Sequence, residues 1–449
     1  MTALAVAPHE PTRLVVATLK PHRGLYELSW EPAEGVSTDG ESERLPRSSP
    51  SSASAVVRDL RAGNWHGRVP DARHAEAAAA SRGLRWRSEV LASSLAAHPF
   101  SNRYISGDTE GDLLFWTFGE PFALAQLTWA HARGQVVQRV RFAPFGDAVV
   151  AAYASGLVAL WRVPDKLAIC TPSEPEQVWR PFGDVCVHDV CFVDQENVIA
   201  TFGRAYDGSN ATGGDIGPSR MDTIRVFDLR AGALNPQQQQ QQQRYHHQPV
   251  LCFRAHTLPG GDSSVRGSSS CESLCGLVLG DGTRLLSASS EGHLAVCDMR
   301  TSRCAAQFRA HSDGSAIRTL VMEEPRGRAL ITGTDSGQVR LWDARSLRLL
   351  EELGTVHRPT RHFRARARAS QHASSLRLSG GTALFGLYGV ECALLTDYSL
   401  ITGGGDGYLY AHGPGWGGTA SPAVSDHVST FADDVDTQLR RVESGLALF

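Results

Sequence analysis

"LITGGGDGYLYAH", residues 400–412, sets four glycines around one aspartate between two apolar runs. A glycine-rich loop can cradle phosphate, because bare backbone N–H groups converge on an anion. A phosphate loop also needs Lys followed by Ser or Thr, and a helix behind it. Here the loop runs into Tyr408, Leu409 and Tyr410, residues that favour a strand. The alternative is a tight turn between two strands, and recurrence along the chain decides for it.

The same layout returns in YISGDTEGDLLFW (104–116), VVAAYASGLVALW (149–161), LLSASSEGHLAVC (285–297) and LITGTDSGQVRLW (330–342). Each copy closes a turn on glycine: Gly111, Gly156, Gly292, Gly337 and, in the quoted stretch, Gly407 after Asp406. Glycine takes the positive φ of such a turn without a Cβ penalty. An alternating strand follows and ends in a bulky residue: Trp116, Trp161, Cys297, Trp342 or His412. Gly111 to Gly156 is 45 residues, and so is Gly292 to Gly337, the period of a β-propeller unit. A Trp at the strand end packs between units and offers its indole N–H to a hydroxyl, with Ser106 and Thr332 at the matching positions.

Two further units are less regular. VIATFGRAYDG (198–208) opens one that MDTIRVFDLR (221–230) closes, and LVVATLKPHRGLYELSW (14–30) forms an amino-terminal one. The expected fold is therefore all-β, a seven-bladed WD40-type β-propeller over residues 1–413. Insertions are expected near 31–82, 204–221, 231–248, 257–270 and 358–380, and residues 414–449 read as a flexible tail with a short amphipathic helix. Residues 35–58 and 71–81 read as surface loop, and the glutamine run 237–243 as an inert polar tract. His131, His256, His311 and His357 stand near unit starts, where a structural hydrogen bond to the Ser/Thr–Trp set is expected.

The composition narrows the function. Forty-four basic residues against 47 acidic ones, a net charge of −3, give no electrostatic ground for nucleic-acid binding. Nine scattered cysteines lack paired zinc-finger spacing and read as reduced thiols of a cytoplasmic protein. No GxSxG or HExxH motif is present. The expectation is a non-catalytic protein with no metal and no cofactor. Candidate partner contacts are the arginines that follow Asp228, Asp298 and Asp343 in W-D-x-R-like corners: Arg230, Arg300 and Arg345. A second candidate is the basic run of Arg358, Arg361, Arg364, Arg366 and Arg368, placed for an acidic protein or anionic lipid headgroups.

The run LAAHPFSNRYISGDTEGDLLFW (95–116), then VQRVRFAPFGDAVVAAYASGLVALWRV (137–163), resembles the carboxy-terminal WD-repeat propeller of the DmX-like or rabconnectin-3 alpha family, whose yeast counterpart is the large subunit of the RAVE complex. VWRPFGDVCVHDVCFVDQENVIATFG (178–203), RLLSASSEGHLAVCDMRTSRCAAQFRAHSDGSAIRTL (284–320) and FGLYGVECALLTDYSLITGGGDGYLY (385–410) continue the likeness, and LVVATLKPHRGLYEL (14–28) fits the first blade. The resemblance covers most of 12–413 outside the insertions. It implies a scaffold that helps assemble or regulate the vacuolar-type proton ATPase, cytoplasmic or peripheral on endosomal or vacuolar membranes. Members of that family are longer, with amino-terminal propellers and a helical region upstream of the part matched. The resemblance carries over no catalytic residue. The competing expectation is a substrate receptor of a cullin-type ubiquitin ligase, through the W-D-x-R pattern.

Overall fold

The computed structural model describes residues 3–30, 55–59, 92–163, 174–203, 222–232, 248–256, 272–357, 390–395, 400–404 and 409–412, with short gaps at 9, 19–23, 121–122, 184, 195–196, 281 and 324–326. Strands dominate these residues, numbered β1 to β27 in chain order. Among the described residues the helical content is two 3-10 turns, Ala130–Ala132 and Leu229–Gly232.

Consecutive strands zip antiparallel into seven sheets. The first sheet holds β1 (Ala3–Ala7), β2 (Glu10–Thr18), β3 (Gly24–Trp30) and β4 (Ala55–Asp59). The second holds β5 (Ala92–Ala97), β6 (Arg103–Asp108), β7 (Leu113–Thr117) and β8 (Ala125–Leu127). The third runs from β9 (Val137–Phe142) through β10 (Ala148–Tyr153) and β11 (Val158–Arg162) to β12 (Gln177–Trp179). The fourth runs from β13 (Val187–Phe192) through β14 (Val198–Gly203) and β15 (Ile224–Asp228) to β16 (Leu251–Phe253). The fifth comprises β17 (Ser273–Val278), β18 (Arg284–Ser289), β19 (His293–Asp298) and β20 (Arg303–Arg309). The sixth comprises β21 (Ile317–Met322), β22 (Ala329–Thr334), β23 (Gln338–Asp343) and β24 (Leu349–Thr355). The seventh has three described strands, β25 (Val390–Leu395), β26 (Leu400–Gly404) and β27 (Leu409–His412).

The first strand of each sheet lies beside the first strand of the next, from β1 by β5 round to β21 by β25, and β25 lies against β1. This is an all-β propeller, with the first strands lining the axis. Packing follows the same order. One apolar cluster joins the first and second sheets through Ala5, Val15 and Tyr104, and the next joins the second and third through Phe115, Trp129 and Trp161. Further clusters join third to fourth, fourth to fifth, fifth to sixth and sixth to seventh. Buried Asp189 on β13 adds a polar tie. It pairs with Arg139 of β9 at 3.0 Å and accepts the Gly276 N–H of β17 at 3.1 Å, linking three neighbouring sheets.

The repeat glycines behave as their spacing demands. Gly111, Gly156, Gly292 and Gly337 all have positive φ, between 76° and 92°. They are also pressed against backbone: a Cβ on Gly111 would meet the Ala132 carbonyl, and one on Gly337 the His357 carbonyl. In the quoted 400–412 stretch, β26 and β27 pair antiparallel on either side of the loop, so the chain makes a strand hairpin there. Asp406 and Gly407 themselves lie outside the described residues.

One expectation is corrected. Residues 35–58 were read as surface loop, yet Ala55–Asp59 forms β4, the outer strand of the first sheet, paired with Tyr26–Trp30. The run AVVRD has the β-branched pair that a ladder accepts, and its polar, serine-rich flank hid that signal.

Candidate interaction face

The sheets run up, down, up and down, so every connection emerges on one of two faces. Connections between second and third strands, and those from sheet to sheet, share one face. Connections between first and second strands, and between third and fourth, share the other.

The first face carries the structural polar network. Trp116 donates its indole N–H to Ser106 at 2.9 Å, and Trp342 donates to Thr332 at 2.9 Å. His311 meets the same Thr332 hydroxyl at 2.9 Å, His256 meets Ser287 at 2.8 Å, and His357 meets Thr402 at 3.0 Å. Three of the four expected histidines are thus buried partners in the repeat. His131 is not: it is exposed, and Trp129 beside it enters the core instead. The reason is local. The hydroxyl position of that unit is Ala151, so a histidine there has nothing to bond and Trp161 keeps a buried N–H without a partner.

On this face, sequence reading missed one charged group. His188 of β13 faces Glu272 through Nε2 at 3.3 Å and the Cys186 sulfur through Nδ1 at 3.9 Å. Burial works against its charge, but bonds to Cys186 and Glu272 outweigh it and hold the imidazole up at about 9. An imidazolium at neutral pH therefore clips the fourth sheet to the fifth.

The second face carries the W-D-x-R corners. Asp228, Asp298 and Asp343 end β15, β19 and β23. Arg230 folds back on Asp228 with bonds of 3.0 and 2.8 Å, and Arg300 on Asp298 with 3.2 and 2.9 Å. Hydrogen bonds from Arg300 hold the Asp298 carboxyl down at about 2, and Arg230 likewise lowers Asp228. The third corner differs. Asp343 accepts from the backbone and hydroxyl of Ser346, at 2.6 and 2.7 Å, and Arg345 lies exposed beside it. The structure thus brings Arg230 and Arg300 into intramolecular pairs and leaves Arg345 outside one with Asp343. Arg358, Arg361, Arg364, Arg366 and Arg368 lie outside the described residues.

The same face gathers the exposed apolar side chains. Phe100, at 61% exposure, and Phe145 stand on the first connections of the second and third sheets. Val250 precedes β16, and Leu349 and Leu350 begin β24. These are all the large, exposed hydrophobic residues among the described ones. Phe100 is held in place: its N–H and that of Ser101 donate to His98 Nδ1 at 3.1 and 3.0 Å. The His98 ring packs on Phe142 with centroids 5.1 Å apart, and burial, helped by Arg103, lowers its pKa so that Nδ1 stays an acceptor. Sequence reading could not see this set, because the five residues share no spacing.

A scan against protein-family models finds no match for this chain, and a search of curated proteins finds none either. The DmX-like resemblance therefore rests on the sequence segments that carry it.

Proposed function

We propose that the chain is a seven-bladed WD40-type propeller that acts as a non-catalytic platform for protein partners. It binds them on the face built from the first-to-second and third-to-fourth connections. The observation that carries this reading is that Phe100, Phe145, Val250, Leu349 and Leu350 all stand on that one face. A rigid ring that presents apolar side chains on the same face as paired charges offers both kinds of contact that a protein interface uses. The DmX-like resemblance supplies the partner class: subunits of a vacuolar-type proton ATPase, or members of a RAVE-like assembly factor, at a cytoplasmic or peripheral membrane location. The arginines at 358–368 fit a supporting contact with anionic lipid.

The second reading, a receptor for a cullin-type ligase adaptor, is favoured by one corner. Asp343 is occupied by Ser346, which leaves the Arg345 guanidinium projecting on the same face.

Affinity purification with the wild type and a Phe100→Ser/Phe145→Ser double variant separates the readings. Both side chains point to solvent, so the double variant should melt within a few degrees of wild type. Under the first reading the wild type recovers proton-pump subunits, and the variant loses them by at least about tenfold, as for interface anchors. Recovery of a cullin adaptor that depends on Arg345 would install the second reading, and equal recovery by wild type and double variant would remove the face assignment.

A further inference from the structure

Cys297 and Cys304 are seven positions apart and share no motif, but the fold places them opposite each other. In the β19–β20 ladder Val296 faces Ala306 and Cys297 faces Cys304, so Ala305 is an extra residue on the outer strand. That bulge brings Cys304 into register. Both side chains pack into the same apolar cluster between the fourth and fifth sheets, so they project from the same face of the ladder. We propose that this pair is a reversible oxidation site, closing a disulfide across the outer two strands of the fifth sheet.

Geometry permits the bond. Directly opposed residues in an antiparallel pair have Cα atoms about 4.5–5.5 Å apart, inside the span a disulfide accepts, roughly 4.4–6.8 Å. Access is one-sided. Cys297 is fully buried, whereas Cys304 is part-exposed on the outermost strand, with its sulfur 3.6 Å from the Ala306 carbonyl. The cross-strand pairing also polarises the two thiols: the Cys297 side chain lowers the Cys304 pKa, and Cys304 raises that of Cys297. An oxidant thus meets Cys304 first. With hydrogen peroxide, the Cys304 thiolate forms an S–O bond as the O–O bond breaks, and hydroxide leaves as water after protonation. The Cys297 sulfur then attacks the Cys304 sulfenic acid. The S–S bond forms, the S–O bond breaks and a second water carries off the Cys297 proton. In total, two thiols and one peroxide give one disulfide and two waters.

The test is peroxide treatment of the full, reduced chain, followed by thiol blocking, tryptic digestion without reductant and mass spectrometry. Cleavage at arginine releases LLSASSEGHLAVCDMR (285–300) and CAAQFR (304–309) as separate peptides. The expected product is the two joined and two hydrogens lighter than their sum, separated again by dithiothreitol. A Cys304→Ser variant, altered at the part-exposed position, should keep its melting temperature and leave Cys297 unoxidised. Cys304 stopping at sulfinic acid in the wild type, a link from Cys304 to any other cysteine, or Cys297 oxidised as readily in Cys304→Ser, would each overturn the proposal.

Discussion

Trp161 and Trp342 end equivalent strands, and each is buried in the core. They differ in one hydrogen bond: Trp342 has Thr332 as acceptor, while Trp161 faces an alanine and its N–H has no partner. Replacing either with Phe removes similar ring volume. Only Trp342→Phe also removes a bond, whereas Trp161→Phe relieves an unsatisfied donor. Trp342→Phe should therefore cost about 1–3 kcal/mol more than Trp161→Phe, measured by urea unfolding. Equal costs would show that the hydroxyl contact adds nothing. Asp108 gives the pH test at this scale. Burial pushes its carboxyl up to about 7, with neighbouring Asp112 adding to the effect. Between the ordinary carboxylate range near 3.8 and that value, the folded state holds a proton the unfolded chain has released. Its contribution to stability is present at low pH and is lost as pH rises through that window. Buried His256 works the other way: burial and His293 push it down to about 3, so the folded chain gains stability as pH rises toward 6.5. Asp108→Asn keeps an acceptor for the Glu110 and Asp112 N–H groups while removing the first effect. Its stability gain over wild type should grow by about 1.4 kcal/mol per pH unit from pH 4 to 7 and then level off. A gain that does not change with pH would mean Asp108 is ionised in the fold throughout.

Glycines divide into two kinds at the level of the hairpin. Gly134 has φ 76° with nothing within 4 Å of an added Cβ, whereas Gly337 has φ 85° and its Cβ would drive into the His357 carbonyl. Gly134→Ala should cost only the left-handed conformation, about 1–2 kcal/mol. Gly337→Ala adds an overpacking cost and should reach about 3 kcal/mol or more. Thermal melts of the two variants at one pH check the ordering. This division also marks how much of the fold was legible. A turn that needs positive φ restricts its residue to glycine, so Gly111, Gly156, Gly292 and Gly337 wrote the repeat into the sequence. The outer strands obey no such restriction. β4 hid in a serine-rich flank, and β8, β12 and β16 are three-residue ladders with no period to detect. The candidate face was less legible still. Phe100 and Leu350 are apolar residues like those of the core, and only the direction of each connection turns them to solvent. The W-D-x-R corners were visible by type, but not that Arg230 and Arg300 would neutralise their own aspartates while Ser346 took that place beside Arg345.

Ring closure sets the behaviour of the whole molecule. Each sheet is made of consecutive strands, so among the described residues no strand from one end of the chain completes a sheet at the other. Six apolar clusters among the described residues join first to second sheet and so on to sixth with seventh. At the closing junction β1 and β25 lie side by side. Ala3, Ala5 and Ala7 of β1 pack with Tyr104 of the second sheet. Side chains alternate along a strand, so Leu4 and Val6, with Val16 and Leu14 paired beside them on β2, lie on the other face of the first sheet, the one that meets the seventh. Leu14 and Val16 are buried there, as is Ile401 of β26. Burial of apolar surface stabilises a contact in proportion to its area, so the ring closes on the same kind of contact that joins its other sheets and should unfold as a unit. Native-state hydrogen exchange tests this directly. Amides of β1–β2 and β25–β26 should be protected to within about tenfold of those of β10–β11 and share one denaturant dependence. Much faster exchange at β1–β2 and β25–β26, with a weak response to denaturant, would show instead that the ring opens locally where its ends meet.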